Sequence, residues 1–428
     1  MSQTATPQAA PPPPPPSAAV AAPAPVPATT AVAQAEPSYV DTPALLNRWQ
    51  LIGMSVAIVF GLVSALVQFV GWQADGRAAA DTEQLLRVQG IKTSLLSADA
   101  TATNAFLRGG LEDAAQRTKY DEAIESVLKG IATAADAQPA DRAALEQLNV
   151  KVTDYTTAVA QARDNNRQGF PIGAEYLSGA SVALRADGNA IPILDALVKS
   201  NQQRAEDAMG GQHPFWLLLL GVVALGVLFW LNRELAQRFR RRINKGIAIA
   251  ALIVLGVTLV TVVGAWIRDS SNDSLREGEF AKAVAEADAR TEGNDAKANE
   301  SLRLIKRGSG TTYEDNWQAS ADKVAASGTS SLSDWKAYAA THADIKKLDD
   351  DGNWEQARKL ALGQSVTDFG KFDEAAKAAA TKNGDSAAED LRSGRSLALI
   401  LSGLTILLGI AASVFLSRGI GERRREFS

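Results

Sequence analysis

Apolar positions follow two patterns along this chain, long uncharged stretches and shorter runs with helical spacing. Four stretches contain no Asp, Glu, Lys or Arg, and each has about the ~20 residues with which a helix crosses a bilayer. They cover residues 49–72, 214–231, 247–267 and 396–417. A core helix of a soluble protein is rarely free of charge over that length. The pattern therefore predicts four transmembrane helices and a chain that contacts a lipid bilayer.

Between these stretches, apolar residues recur at alternating steps of three and four, which is typical of helices packed in bundles. No stretch alternates with the period of two that indicates a strand. In the first region the pattern passes through three sets of residues: Tyr120, Ile124, Val127, Ile131 and Ala134; Leu145, Leu148, Val152, Tyr155, Val159 and Ala162; and Leu177, Ala180, Leu184, Ile191, Leu194 and Val198.

Glycine and proline divide each region into four predicted helices. The breaks fall at Gly109–Gly110, Pro139 and Gly169–Pro171 in the first region, and at Gly308–Gly310, Gly328 and Gly352 in the second. We expect helices 1 and 4 of each region to continue without a break into the spans. The first and third turns should then lie farthest from the membrane.

The predicted fold class is an all-α membrane protein with four transmembrane helices and two tandem extracytoplasmic four-helix bundles. The predicted domains are a disordered Pro/Ala-rich cytoplasmic tail (1–48), a first span (49–72), a first bundle (73–213), a second span (214–231), a basic cytoplasmic loop (232–246), a third span (247–267), a second bundle (268–395), a fourth span (396–417) and a basic cytoplasmic tail (418–428).

Basic residues predict the orientation, because Lys and Arg accumulate in short cytoplasmic segments. The loop 232–246 contains Arg233, Arg238, Arg240, Arg241, Arg242 and Lys245, and the C-terminal tail contains four more arginines. Both termini should therefore be cytoplasmic in a multi-pass protein of the plasma membrane. Arg238, Arg240, Arg241 and Arg242 are also candidates for binding an acidic partner, although the topology rule alone accounts for them.

Weak internal similarity accompanies the repeated helix order. DATATNAFL from Asp99 is similar to DAKANESL from Asp295, and the run that ends at Ser181 is similar to the run that ends at Ser365. We interpret this as an internal duplication of a span–bundle–span unit.

Composition limits the chemistry. The chain has no cysteine, two histidines and nearly balanced charges, with 44 basic and 48 acidic residues. A thiolate or multi-histidine metal site and a basic nucleic-acid-binding surface are therefore excluded. His342 shares an apolar pattern with Trp335 and Tyr338, which predicts that it packs in or beside the core. Nucleotide-binding motifs are absent as well, so we expect no catalytic, cofactor or metal site and no enzyme activity.

Two distal turns combine an aromatic residue with polar and charged side chains, the composition of many protein interfaces. A solvated turn in which Pro171 opens the next helix is the simpler alternative. The candidate partner-binding residues are Asn165, Asn166, Arg167 and Phe170 in the first bundle and Asp349, Asp350, Asp351 and Trp354 in the second.

The stretch NNRQGFPIGAEYLSGAS (165–181), the four spans, the duplicated bundles and the Pro/Ala-rich head together resemble the GlnX-type membrane proteins of actinobacteria. The resemblance covers essentially the whole chain. It implies outer bundles similar to the four-helix sensor modules of chemoreceptors and histidine kinases. It also implies a role between an outer lipoprotein that binds acidic amino acids or their amides and a soluble Ser/Thr protein kinase of the protein kinase G type inside.

The expected function is thus a transmembrane signal transducer that relays amino-acid availability from the lipoprotein to the kinase. Two alternatives remain open at this level: a sensor that binds a small ligand directly between bundle helices, and a structural membrane scaffold. The oligomeric state is also open, a homo-oligomer included.

Overall fold

The computed structural model describes residues 42–109, 112–167, 172–239 and 243–426, and in these ranges the regular structure is entirely helical. The predicted disordered tail falls almost wholly outside the described residues. The helices are α1 (Thr42–Arg108), α2 (Ala114–Ala137), α3 (Arg142–Arg167), α4 (Ile172–Arg185), α5 (Ala190–Met209), α6 (Pro214–Phe239), α7 (Lys245–Glu277), α8 (Glu279–Ile305), α9 (Thr311–Ala326), α10 (Leu332–Asp350), α11 (Trp354–Leu362), α12 (Gln364–Arg392) and α13 (Arg395–Glu426).

Four helical segments are long and apolar enough to cross a membrane, and they lie in α1, α6, α7 and α13. These helices form a ring in which each packs against two neighbours, in the order α1, α6, α7, α13. The contact between α1 and α13 is especially close, because a Cβ atom on Gly61 would lie 3.0 Å from the Cα of Gly409. Such close approach between small residues is typical of helix pairs in membranes. The all-α membrane fold is confirmed.

The outer part of α1 forms the first bundle with α2–α5. The apolar residues predicted from the 3-4 spacing, among them Leu145, Val152, Leu177 and Leu194, are fully or almost fully buried in one core. Local signals set the first turn: Gly109 has a φ of +73°, and the Asp113 side chain accepts a hydrogen bond from the amide of Ala115 at 3.0 Å. These are the usual C-terminal and N-terminal helix caps.

The second bundle consists of α8–α12 and has a more aromatic core. Trp317, Trp335, Tyr338 and Phe372 are buried there, and the Trp335 ring centroid lies 5.1 Å from those of Tyr338 and Phe372. His342 is buried beside them, as its pattern predicted, and stacks on Trp317 with ring centroids 3.7 Å apart.

The prediction of four helices per bundle is wrong for the fourth helix. In the first bundle it is split into α4 and α5 between residues 185 and 190, and in the second into α11 and α12 at Gly363. The apolar spacing continues across both breaks, so periodicity alone missed them. Gly188, which has a φ of +72°, is the sequence signal for the first break.

The prediction that helices 1 and 4 run unbroken into the spans holds only for α1. Residues 210–213 separate α5 from α6, Gly278 separates α7 from α8, and residues 393–394 separate α12 from α13. Glycine occurs at each of these breaks, at positions where the apolar pattern gives no warning. A single helix of 67 residues, α1, therefore connects the membrane ring to the far end of the bundle.

The two bundles pack side by side rather than standing apart. α1 of the first bundle contacts α8 and α12 of the second. Near the membrane, α1, α5, α7 and α12 form a four-helix stalk whose apolar core includes Ala205, Leu275 and Leu391, and Phe280 at the start of α8 packs into the same core. We refer to the contact between α1 and α8 as the α1–α8 interface.

Candidate functional site

A half-buried arginine, Arg185, crosses the α1–α8 interface. Nη1 of Arg185, at the end of α4, donates to Asp99 Oδ2 at 3.0 Å, and its Nε donates to Asp295 Oδ1 at 2.7 Å. Asp99 lies on α1 and Asp295 lies on α8. We name this arrangement the Arg185 bridge, because one guanidinium joins the first helices of both bundles.

Asp99 is completely buried, and three side chains donate hydrogen bonds to its carboxylate. Besides Arg185, it accepts hydrogen bonds from the hydroxyl of Tyr155 at 3.1 Å and from that of Ser181 at 2.7 Å. A buried carboxylate is tolerated only when it is paired in this way. Burial lowers the pKa of Arg185, but Asp295 and Asp99 outweigh it and raise that pKa above its ordinary value. Burial and the negative charge of Asp99 raise the pKa of Tyr155, so the tyrosine stays a donor.

A second buried polar cluster surrounds Glu300 on α8. Nζ of Lys297 donates to Glu300 Oε1 at 2.6 Å, the Ser365 hydroxyl donates to the same oxygen at 2.7 Å, and Nδ1 of His342 lies 3.0 Å from Oε2. Nε2 of His342 lies 3.4 Å from Glu314 Oε2, an ion-pair distance without hydrogen-bond geometry. His342 therefore has carboxylate neighbours that its sequence surroundings did not reveal.

The charges in this cluster shift the pKa values of both partners. Burial raises the pKa of Glu300, but Lys297 and His342 outweigh it and lower the pKa to about 2. Burial lowers the pKa of His342, but the hydrogen bond with Glu300 and the negative charges of Glu300 and Glu314 outweigh it and raise that pKa above its ordinary value. The cluster is thus a network of opposite charges inside the second bundle. Among the described residues, no group of three His, Asp or Glu side chains could bind a metal ion.

On its other flank, the α1–α8 interface opens into a groove of about 500 Å³, which lies between α1 and α2 on one side and α8 and α12 on the other. We call it the inter-bundle groove. Its surface is polar and hydroxyl-rich, and includes Ser94, Ser97, Thr101, Asn104 and Asn294. Its size lies within the range of ligand pockets.

At the membrane boundary, Asp75 of α1 joins the four stalk helices. It accepts hydrogen bonds from Gln212 at 3.1 Å, from Arg268 at 2.8 Å and from Asn272 at 3.0 Å. Arg268 in turn donates to the carbonyl of Leu391 on α12 at 2.7 Å. The Asp75 carboxylate therefore links α1 directly to α7 and, through Arg268, to α12.

The sequence-predicted residues of the first distal turn are only partly described. Arg167 has 59 % of its side chain exposed and lies 4.0 Å from Asp164. Asn165 donates to the carbonyl of Gln161 at 2.9 Å, and Asn166 is half-buried. Phe170 lies outside the described residues. Arg167 is thus the described side chain in this turn that is most accessible to another protein.

The candidate residues of the second distal turn are largely paired within their own bundle. Asp349 and Asp350 both pair with Arg303, at 3.2 Å and 2.5 Å. Trp354 is half-buried: its Nε1 donates to the carbonyl of Leu304 at 2.8 Å, and Arg307 covers its ring at 3.8 Å. Asp351 is exposed. Trp354 thus packs partly within its own bundle, and its role in partner binding stays a prediction.

The distal turns of the two bundles lie together. Arg358 of α11 donates to the carbonyl of Arg108 at 3.1 Å, and Lys306 pairs with Glu175 of α4 at 2.7 Å. At the opposite end of the molecule, Arg238 lies 3.7 Å from Glu234 and 5.4 Å from the centre of the Trp49 ring. Arg240, Arg241 and Arg242 lie outside the described residues.

Residues 74–210 match a family model described as the actinobacterial sensor domain. The matched range comprises the first bundle from its stalk to the end of α5. No curated protein matches the chain, and no solved structure matches it. The family match indicates a sensing or signalling role for an all-helical, multi-pass membrane protein.

Proposed function

We propose that this chain is a transmembrane signal transducer. The observation that carries the proposal is the length and packing of α1. This helix of 67 residues contacts α13 within the membrane and α8 in the bundles, and it contains both Asp99 and Asp75. Rearrangement at the α1–α8 interface would therefore displace a helix that reaches the opposite face of the membrane. Packed helices respond by shifts on the order of 1–2 Å.

In the proposed topology both termini and the loop 232–246 are cytoplasmic, and the bundles (73–213 and 268–395) are outside, because the basic residues cluster in the loop and the C-terminal tail. Protease added to intact spheroplasts should cut the bundles and leave a tag at Ser428 intact. Loss of the tag in intact cells would overturn this orientation.

We further propose that a solute-binding lipoprotein supplies the outer signal and that a soluble Ser/Thr protein kinase of the protein kinase G type receives it inside. The resemblance to GlnX-type proteins supports these partners. The clustering of both bundles' distal turns favours that end as the docking surface, since a bound protein would contact both copies at once. The loop with Arg238, Arg240, Arg241 and Arg242 is the proposed kinase contact. The chain itself is proposed to be neither an enzyme nor a cofactor-binding protein.

Internal duplication is part of this proposal. Both bundles contain a long first helix, two middle helices and a fourth helix split into a short and a long piece. Asp99 and Asp295, which the internal similarity aligns, both contact Arg185. Two related units sharing one buried contact would be well suited to compare, or respond jointly to, one bound partner.

Capture of the binding protein by the full chain in nanodiscs tests the docking model. Replacing Arg167 and Phe170 by alanine should weaken capture about fivefold or more if they form a hot spot. Lys129→Ala is a matched control, because Lys129 is a strongly exposed residue on α2 away from the distal turns. Unchanged capture by a folded Arg167/Phe170 double variant would contradict docking at the distal end.

A second candidate function, direct binding of a small ligand, is favoured by the inter-bundle groove. The groove has the volume of a ligand site and borders the α1–α8 interface. A rearrangement at that interface would be transmitted along α1. A scaffold without a ligand would have no need for a polar cavity there. Saturable binding of a small solute to the purified chain, without any binding protein, would establish this function.

A further inference from the structure

The membrane ring opens into an apolar cleft between α7 and α13. At the end away from the bundles these two helices are in contact: a Cβ atom on Gly246 would lie 2.6 Å from the Cα of Gly419, and Nδ2 of Asn244 donates to the carbonyl of Gly419 at 2.8 Å. Toward the bundles a space of about 260 Å³ separates them, and a Cβ atom on Gly264 would have no neighbour within 4 Å. We name this space the α7–α13 cleft.

The cleft lies at the bundle-side boundary of the membrane and faces the bilayer. Its lining residues on the α13 side fall within 394–401, a rise of about 10 Å at 1.5 Å per residue. This depth lies within one leaflet of a hydrocarbon core of ~30 Å. Ile267 on one wall and Leu397 on the other are both largely exposed. The cleft is therefore open to lipid from the side.

The polar side chains at the inner end of the cleft already have partners. Nε2 of Gln68 donates to the carbonyl of Ser64 and to the hydroxyl of Thr405, both at 3.1 Å. The Thr261 hydroxyl donates to the carbonyl of Thr258 at 3.3 Å. Most of the other lining side chains are aliphatic, among them Val67, Leu217, Val260 and Leu401. A hydrocarbon chain would thus leave no native hydrogen bond broken. The volume is also below the range of about 300–1,000 Å³ for whole-ligand pockets.

A cation without a counter-ion lies at the bundle-side end of the cleft. Cζ of Arg395 lies 4.6 Å from the centre of the ring of Trp72, which lines the cleft. Ala398, another lining residue, lies one helical turn along the same face of α13. Among the described residues, none is an acidic partner of Arg395 within 4.0 Å, and none makes a side-chain hydrogen bond with it. By contrast, Arg268 on the opposite wall pairs with Asp75 at 2.8 Å.

The Arg395 guanidinium is held in place by α1. It stacks on Trp72 and lies against Gly76, where a Cβ atom would clash with its Nη2. Its Nε is buried, so Nη1 and Nη2 are the donors that remain for an external anion. A phosphate oxygen accepts strong charge-assisted hydrogen bonds from such donors. At a membrane boundary the phosphate of a lipid headgroup is the anion at hand.

We infer that the α7–α13 cleft binds one anionic phospholipid of the bundle-side leaflet. The headgroup phosphate pairs with Arg395, and one acyl chain lies between α7 and α13. A headgroup of net negative charge is favoured, because Arg395 has no acidic partner of its own. The bound chain keeps α7 and α13 apart at the end of the ring that adjoins the stalk. The inference rests on the membrane-spanning fold and is independent of the proposed partners.

The test is native mass spectrometry of the purified full chain, titrated in detergent with dioleoyl phosphatidylglycerol. Dioleoyl phosphatidylcholine, which has the same chains and no net charge, is titrated in parallel. We expect one saturable site per chain that binds phosphatidylglycerol about tenfold more tightly. Arg395→Gln should abolish this preference. Arg233→Gln is the matched control and should keep it, because Arg233 is an exposed arginine of α6 at the opposite membrane boundary, outside the cleft.

A second pair of variants tests the acyl chain. Gly264→Leu fills the cleft and should weaken the binding of both lipids about tenfold. Gly256→Leu is its control, because Gly256 lies on the same helix, also has open space around it and does not line the cleft. If Gly264→Leu fails to fold, Ala398→Leu fills the cleft from the opposite wall.

Three results would overturn the inference: absence of a saturable lipid site, equal affinity for the two lipids, or equal losses in a cleft variant and its control. Displacement of phosphatidylglycerol by excess inorganic phosphate would overturn it as well. Such displacement would show an anion site to which the acyl chain contributes nothing.

Discussion

The two flanks of the α1–α8 interface differ in how completely their polar groups are paired. On one flank, Asp99 accepts from Tyr155, Ser181 and Arg185, and Arg185 continues to Asp295. On the other flank, the inter-bundle groove contains an amide pair, Asn104 and Gln116, with a free donor and a free acceptor. Residues 97 and 101 face the groove, while Asp99 between them faces the bridge, because two residues correspond to about 200° around a helix.

The two flanks should therefore have different roles along α1 and α8. The Arg185 flank should stabilise the helix pair, and the groove flank should be the side that can move. A buried carboxylate that is paired with a cation and two hydroxyl donors is costly to disturb, so the Arg185 flank should keep α1 and α8 in register. Among the described residues, the groove flank lacks such a buried charge network between α1 and α8, so a change in the spacing of its walls should cost less free energy. The bridge would then act as the fixed side about which the open side moves.

The largest expected effect comes from breaking the bridge. Arg185→Ala leaves Asp99 buried and without its cation, which should destabilise the bundles by about 3–5 kcal/mol. The thermal unfolding of the purified variant in nanodiscs measures this. Arg167→Ala is the matched control, because that arginine is exposed, and it should change stability by less than about 0.5 kcal/mol. Equal stability of Arg185→Ala and wild type would show that the two flanks do not differ.

A smaller loss is expected for Ser181→Ala, which removes one hydrogen bond to the Asp99 carboxylate and retains the Arg185 bridge. Hydrogen bonds to charged groups contribute about 1.5–3 kcal/mol. Denaturant unfolding of the variant should show a loss in this range. Ser126→Ala, at an exposed serine on α2, should be close to neutral. A loss as large as that of Arg185→Ala would mean that the hydroxyl, and not the arginine, compensates Asp99.

The expected effect of pH on stability is weaker still. It arises from the buried cluster around Glu300 and His342, next to the inter-bundle groove. The folded-state pKa of His342 is raised, so its contribution to stability is complete below its ordinary value of 6.5 and is lost as pH rises through the raised pKa. The pKa of Glu300 is lowered from 4.5 to about 2, so its contribution is present above 4.5 and is lost as pH falls toward 2.

Stability should therefore decline above pH 6.5. His342→Gln, which retains a donor toward Glu300, should flatten that decline in thermal melts between pH 6 and 9. A wild-type melting profile that rises over this interval, or one that the variant reproduces, would contradict the assigned charges.

The smallest effect is expected in the groove itself. Asn104→Leu removes one hydrogen bond, which lowers the free energy of unfolding, and it also removes an unpaired buried donor, which raises it. The two effects oppose each other. Its unfolding free energy should stay within about 1 kcal/mol of wild type. A loss comparable to that of Arg185→Ala would show that Asn104 stabilises the fold and that the groove is not an open site.

Much of this fold could be predicted from spacing and charge. The uncharged stretches gave the spans, the 3-4 spacing gave the cores around Leu145 and Leu177, and Gly109 and Gly308 marked the distal turns. The breaks within the fourth helices could not be predicted from apolar spacing, since that spacing continues through them. The packing of one bundle against the other could not be predicted either, because it depends on contacts between residues nearly 200 positions apart, such as Thr93 and Thr291.

The candidate site was harder to predict than the fold. Asp99 had a usable signal, because Leu95 lies four residues before it and Ala102 three residues after it, which places its carboxylate on a core-facing side. The sequence around Arg185 does not indicate its contact with Asp295 in the same way. That contact depends on the packing of one bundle against the other. The contact of Trp354 could not be predicted either: a tryptophan beside a turn has the composition of an interface, and its sequence surroundings do not indicate that its indole donates to the carbonyl of Leu304.

Double electron–electron resonance tests the transducer claim most directly. It measures the distance between two spin labels at the end of the molecule opposite the bundles. The chain has no cysteine, so spin labels attach only at Arg48→Cys on α1 and Glu422→Cys on α13, both exposed positions. The perturbation is Arg185→Ala, and the variant is measured below its unfolding temperature. A second sample, labelled at Lys119→Cys and Lys377→Cys, measures the distance between the groove walls. We predict that Arg185→Ala shifts the distance between positions 48 and 422 by about 1–2 Å or broadens its distribution. A distribution superimposable on that of wild type, while the groove pair moves, would contradict transmission along α1.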